Sequence, residues 1–259
     1  MPIGIMAAMR EEIDALLHHN MNVRWSKTRV GDRDFYSGTL HGVEVVAAFS
    51  RWGKVAAAAT ATHMIDRFAV SELWFTGVAG SLQPGVRIGD IVIADGLIQH
   101  DMDARPLFNR FEIPLSGRWR FETTEAVRGT LQSAATAFVQ NGFDVAVTPE
   151  IRSRFGIGTP RVIVGDVATG DQFIASGSAV AALHSLLPEC VCVEMEGAAV
   201  AQICHEHGLR FGVLRVISDS ADHTAHVDFP KFVGEVASVY TDAIIGLALQ
   251  AQQHAATDG

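Results

Sequence analysis

Cysteine is scarce in this chain and runs of basic residues are absent. Only Cys190, Cys192 and Cys204 occur among 259 residues, and an odd number, with two alternating along one strand-like segment, provides no disulfide framework. A reducing, cytoplasmic address is expected. Lys and Arg total 20 against 29 Asp and Glu, for a formal net charge of -9. A polyanion would meet mostly repulsion, so nucleic acid is excluded as a partner. No apolar stretch reads as long enough to span a bilayer, so no membrane partner is expected. The start "MPIGIMAAMREE" lacks a basic region and runs at once into Glu11 and Glu12, unlike a secretory signal.

Nucleotide-loop patterns are also missing. "RWGK" before an Ala-rich helix is not a P-loop, because Ala48 stands where its first glycine belongs and Val55 where its hydroxyl belongs. "TGVAGSLQPG" follows a strand but lacks the dinucleotide spacing, leaving a glycine-rich turn that is either structural or a place for a ligand to approach backbone. In "CHEH", His205 and His207 lie two apart on a predicted helix and point apart. "QHDMD" (99–103) and "SADHTAH" (220–226) show neither zinc nor calcium spacing and read as polar loops. No metal and no cofactor is expected.

What the chain does have is apolar substance, 48% of its residues, enough for one large core. Short apolar strands alternate with helix-length segments: "PIGIMAAM", a helix from about Arg10, "RDFYSGTL", "VEVVAAFS", the helix "KVAAAATATHMIDRF", "ELWFTGVAG" and "GDIVIADGLI". A helix near Glu122 to Gln140, "RVIVGDVA", a helix through Ser178 to Leu187, "CVCVEM", "EGAAVAQICHEHG", "LRFGVLRVIS" and a helix from Pro230 complete the pattern. This is α/β: a single domain over 1–259, with a mixed central sheet flanked by helices on both faces. Residues 100–120 read as a long functional loop, and the tail from about 250 is expected to fray.

"VCVEMEGAAVA" (191–201) places Glu194 and Glu196 where a strand meets a packed helix, and buried charges there are costly unless something specific satisfies them. Glu12, Glu196 and Asp219 each fall at a predicted strand end. If those strands run parallel, the three share the sheet edge where α/β proteins place ligands. Singly, each also reads as a helix first-turn residue, a favourable charge at a helix N-terminus, or a cap. Arg215, on the same strand face as Asp219, adds to a polar cluster.

"GIMAAMREE", "SRWGKVAAA", "FTGVAGSL", "VRIGDIVIAD", "GDQFI", "VEMEGAAVA" and "RVISDSAD" resemble, in order and spacing, the 5'-methylthioadenosine/S-adenosylhomocysteine nucleosidases of the nucleoside phosphorylase superfamily, over nearly the whole chain. The resemblance implies that Glu196 binds the ribose hydroxyls with the Met195 backbone beside it. Asp219, helped by Ser218, would protonate N7 of the leaving base. Glu12 would activate water, with Arg215 near the same site and Glu194 as a neighbour. Phe173 would stack on adenine, the Ile174 backbone would read its edge, and Met9 and Phe229 would line the 5' pocket. The turn Val78, Ala79 and Gly80 would lie against the substrate.

Departures are specific. Val78 replaces a serine common in relatives, and Trp52 occupies a position lining the 5' pocket, which favours methylthioadenosine over the larger S-adenosylhomocysteine. The family is dimeric, and loop 100–114, with Ala104 and Leu107, would reach the neighbouring subunit's pocket. Alternatives are a phosphorylase, poorly provided for by Phe75 and Val78; a futalosine-type hydrolase using Arg105 or Arg110; and a non-catalytic nucleoside-binding protein.

Overall fold

The computed structural model describes residues 1–18, 23–219 and 229–257. In chain order the elements are β1 (Ile3–Ala7), α1 (Asp14–His18), β2 (Ser26–Val30), β3 (Arg33–Leu40), β4 (Val43–Phe49), α2 (Lys54–Phe68), β5 (Glu72–Phe75) and β6 (Val78–Ser81). Then come β7 (Ile91–Gln99), β8 (Phe121–Glu122), α3 (Glu125–Ala137), α4 (Phe143–Ala146), α5 (Pro149–Phe155), β9 (Val162–Thr169), α6 (Gly177–Leu186) and β10 (Cys190–Glu194). The last four are α7 (Gly197–Glu206), β11 (Arg210–Asp219), α8 (Phe229–Phe232) and α9 (Ser238–Thr257). Wider π turns at Phe138–Gly142 and Val233–Ala237 join α3 to α4 and α8 to α9.

Eleven strands form a mixed sheet in the order β2-β3-β4-β1-β5-β11-β6-β10-β9-β7-β8, and a further β11–β7 pairing closes five of them into a ring. The ten-residue β11 makes this possible: its first half pairs with β5, and its second half pairs with β6 and β7. Helices cover both faces, as the alternating pattern requires. One core gathers Ile5, Trp74, Leu214 and Val216 with α3 and α9. A second packs Met6, Phe75 and Val213 against the small faces of α2 and α7 through Ala57, Ala61, Ala198 and Ala201. Alanines at those positions let the two helices lie close to the sheet and to each other.

Three expectations need correction. β10 runs antiparallel to β6 while β11 runs parallel to it, so Glu196 and Asp219 approach from opposite directions, not from one parallel edge. The first helix starts at Asp14, not Arg10, because residues 8–12 bend around the Glu12 carboxylate. α9 continues to Thr257, with Leu249 buried and Gln250 hydrogen-bonded to His41. Finally, Phe229–His254 is long and apolar enough to cross a bilayer, at a mean hydropathy of 1.5, yet 67% of its most apolar window is buried. Tyr240, Ile244, Ile245 and Ala248 carry it into the core. The edge strand β2, exposed and polar, has no apolar alternation and escapes a pattern search.

Candidate active site

Where β1 ends, the chain folds back on its own carboxylate. Glu12 Oε2 accepts the N–H groups of Ala8 at 2.9 Å and Met9 at 2.8 Å, and Oε1 accepts that of Val78, at the start of β6, at 3.1 Å. Only glycine fits at 77: φ is +154°, and a Cβ there would lie 2.6 Å from Glu12 Oε1. Burial pushes the Glu12 carboxyl up, against the opposing pull of its backbone donors and of Arg215.

The two glutamates of "VEMEG" do different work. Glu194 faces the start of α7 and accepts the N–H of Glu196 at 3.1 Å, that of Gly197 at 2.8 Å and the Thr169 hydroxyl. Its Oε2 also lies 2.7 Å from Arg215 Nη2. Backbone donors at a helix N-terminus and a paired guanidinium offset the cost of burying this charge. Arg215 is 1% exposed and stacks over Phe75, 4.0 Å from the ring centroid. It stands behind the site wall, pairs with Glu194 and favours the ionised forms of Glu12 and Glu196. Glu196 accepts the Gly53 N–H at 2.7 Å on Oε1. Burial, reinforced by the Glu194 charge, pushes its carboxyl well above the usual range.

Asp219 closes β11, and its Oδ2 accepts the Ser218 hydroxyl at 2.7 Å. Gly80 of β6 pairs with Val193 on one side and Asp219 on the other. That short strand draws the oppositely running β10 and β11 to one place. Glu12, Glu196 and Asp219 thus line a single cavity, together with Glu194, Met195 and Ser218.

Its other walls are apolar. Met9, Val78, Ala79 and Gly80 line it together with Trp52, Phe173, Ile174 and Phe229. Trp52 and Phe173, 51% and 44% exposed, lie nearly parallel at 6.4 Å between centroids, and Phe229 meets Phe173 edge-on at 6.2 Å. Of the expected site residues, Ala104 and Leu107 lie off this cavity, with Leu107 84% exposed. Arg105 pairs with Asp103, and Arg110 lies over the Phe111 ring. Sequence reasoning missed Gly53, whose signal was a glycine directly before a helix, and Ala8, Gln172 and Val193 on the wall. Among the described residues no cluster of His, Cys, Asp and Glu could hold a metal ion; residues 220–226 lie outside them.

A cavity lined by both aromatic rings and carboxylates suits a heterocycle joined to a sugar, and with this mixed, partly closed sheet it defines an enzyme of the nucleoside phosphorylase type. Residues 2–250 match the family model of the phosphorylase superfamily. The chain belongs to that superfamily and, within it, to the nucleosidases, which are N-glycosyl hydrolases. It is 36% identical to the 5'-methylthioadenosine/S-adenosylhomocysteine nucleosidase of Mycobacterium bovis over 91% of this chain and 92% of that one. It is 35% identical to the aminodeoxyfutalosine nucleosidase of Helicobacter pylori over 93% and 94%. The Neisseria meningitidis 5'-methylthioadenosine/S-adenosylhomocysteine nucleosidase, solved with methylthio-immucillin-A, superposes with a TM-score of 0.83 at 29% identity, covering 96% of this chain and 99% of that one.

Proposed function

We propose that the protein hydrolyses the N-ribosidic bond of 5'-methylthioadenosine and releases adenine. S-adenosylhomocysteine and 5'-deoxyadenosine are poorer substrates in this reading. The observation that carries it is the convergence of Glu12, Glu196 and Asp219 on one cavity beside an aromatic wall. Breaking this bond builds positive charge on the sugar while the purine leaves with an electron pair, so the site must protonate the base and deliver water to the opposite face. Asp219, steadied by the Ser218 hydroxyl, serves N7 as the general acid. Glu12, ionised, takes a proton from water. Glu196 accepts both ribose hydroxyls, beside the Met195 backbone. Phe173 stacks on the adenine, and the Ile174 backbone reads its edge. Met9, Trp52 and Phe229 enclose the 5' group. Val78 offers the water no hydroxyl, although its N–H holds Glu12 in place.

A second reading, an aminodeoxyfutalosine substrate, is favoured by the 35% identical Helicobacter pylori relative. The test is adenine release from 5'-methylthioadenosine, S-adenosylhomocysteine and aminodeoxyfutalosine, with and without phosphate. Phosphate-independent release, fastest from methylthioadenosine, is expected. Asp219→Asn should lower kcat by about 10²- to 10⁴-fold, the usual worth of a positioned acid. Phosphate dependence would instead make the protein a phosphorylase, and unchanged turnover in the variant would remove Asp219 from its role.

Cytoplasmic location and a homodimer, with loop 100–114 and its Ala104 and Leu107 at the neighbouring pocket, complete the proposal. The products would enter purine and methionine salvage.

A further inference from the structure

Lys54 and the polar "QHDMD" have no task in this hydrolysis, yet the fold joins them. Lys54, of "RWGK", places Nζ 2.6 Å from Asp101 Oδ1 and 3.2 Å from Gln99 Oε1, both of "QHDMD". The other Asp101 oxygen accepts the Asp171 N–H at 2.9 Å, and Asp171 Oδ1 accepts the Lys54 N–H at 2.8 Å. The ring of bonds ties together the turn before α2, the loop after β7 and the loop after β9 that carries Gln172 and Phe173. Gly53, the neighbour of Lys54, has φ of +94°, and a Cβ there would lie 3.0 Å from Asp171 Oδ1. Its own N–H is the one that reaches Glu196 at 2.7 Å. The ammonium and carboxylate are largely shielded from water, and backbone donors fix the geometry, unlike a mobile surface ion pair.

We infer that Lys54, Asp101 and Asp171 form a positioning clamp that holds the Gly53 N–H on Glu196, favouring the ionised carboxylate and aiming it at the ribose hydroxyls. Glu194 of β10 and Glu12 beyond β1 oppose the ionisation of Glu196, while Arg215 of β11 favours it; Asp219 faces the same cavity. His100 lies beside the clamp, near Asp101, Lys54 and Glu194. Burial works against the charge on Asp101, but the bonds from Lys54 and Asp171 prevail and hold its carboxyl below the usual range. The clamp therefore stays closed across neutral pH. Without the Gly53 N–H, Glu196 would keep its proton to higher pH.

The kinetic arm of the test rests on the nucleosidase reading; the spectroscopic arm does not. In the full chain, Lys54→Met and Asp101→Ala should each raise KM for 5'-methylthioadenosine about 10-fold at neutral pH, the scale of one lost hydrogen bond to a charged group. Changes in kcat should stay within about 3-fold, because the bond acts on binding. The KM gap should narrow as pH rises, and Lys54→Arg should restore most of it. The Glu196 carboxyl resonance, assigned by its loss in Glu196→Gln, should titrate at higher pH in both Lys54→Met and Asp101→Ala. Charge alone predicts opposite signs, since removing Lys54 removes a cation and removing Asp101 removes an anion. Opposite shifts, no shift, or lowered thermal stability with an unchanged Glu196 titration would overturn the clamp. A wild-type protein that releases adenine from no nucleoside would overturn the nucleosidase reading, and the resonance shifts would still decide the clamp.

Discussion

At the scale of the residue, the site sets stability against activity. Burial raises the proton affinity of both Glu12 and Glu196 in the folded chain. The native state therefore binds protons more tightly than the unfolded one, and the contribution of these groups to stability falls as pH rises from the ordinary carboxylate range through their raised values. The proposed chemistry needs both ionised. Glu196→Gln should remove part of this slope: its Tm should fall less than that of the wild type between pH 5 and 8, with roughly 2–4 °C for each kcal/mol in a domain of this size. Parallel melting curves would show that Glu196 titrates alike in both states. Trp52 carries a different prediction. Its half-exposed ring reaches the cavity beside Phe173, so Trp52→Ile should raise kcat/KM for S-adenosylhomocysteine relative to methylthioadenosine, by about 10-fold on the scale of shape discrimination in apolar pockets. An unchanged ratio would free Trp52 of any part in selecting the 5' group.

At the scale of the element, short pieces do the placing. β6 is four residues long, yet it separates the opposed strands β10 and β11 and supplies the Val78 N–H to Glu12. Gly77 directly precedes it, and a methyl group there would collide with the Glu12 carboxylate. Gly77→Ala should therefore lower kcat by at least about 10²-fold, the loss expected on displacing the proposed base Glu12, while costing about 1–3 kcal/mol of stability for the strained backbone. Adenine-release kinetics and urea unfolding measure the two effects separately. A variant that loses stability but retains kcat would mean that Glu12 tolerates displacement. The long helices were readable from the chain because α2 and α7 carry small residues at helical spacing. β2 was not, since an exposed edge strand has no apolar face to announce it.

At the scale of the whole molecule, Leu107 and Leu115 of the long loop stand 84% and 91% exposed, an arrangement that suits burial by a second copy. A homodimer is expected in sedimentation experiments. Leu107→Asp should shift it toward monomer and raise KM for methylthioadenosine; a wild-type monomer with full activity would remove the loop from the site. The α/β class, the helices on both faces and the acidic residues that line the cavity were legible in the chain, because apolar periodicity and "VEMEGAAVA" and "RVISDSAD" are local patterns. Local patterns carry no strand direction. Only the tertiary structure sets β10 against β11, moves Arg215 behind the wall onto Glu194, and joins "RWGK" to "QHDMD", since each depends on hydrogen bonds between segments far apart in sequence. Composition and spacing determined which groups were available; the closing of the sheet through β11 decided which of them share one cavity.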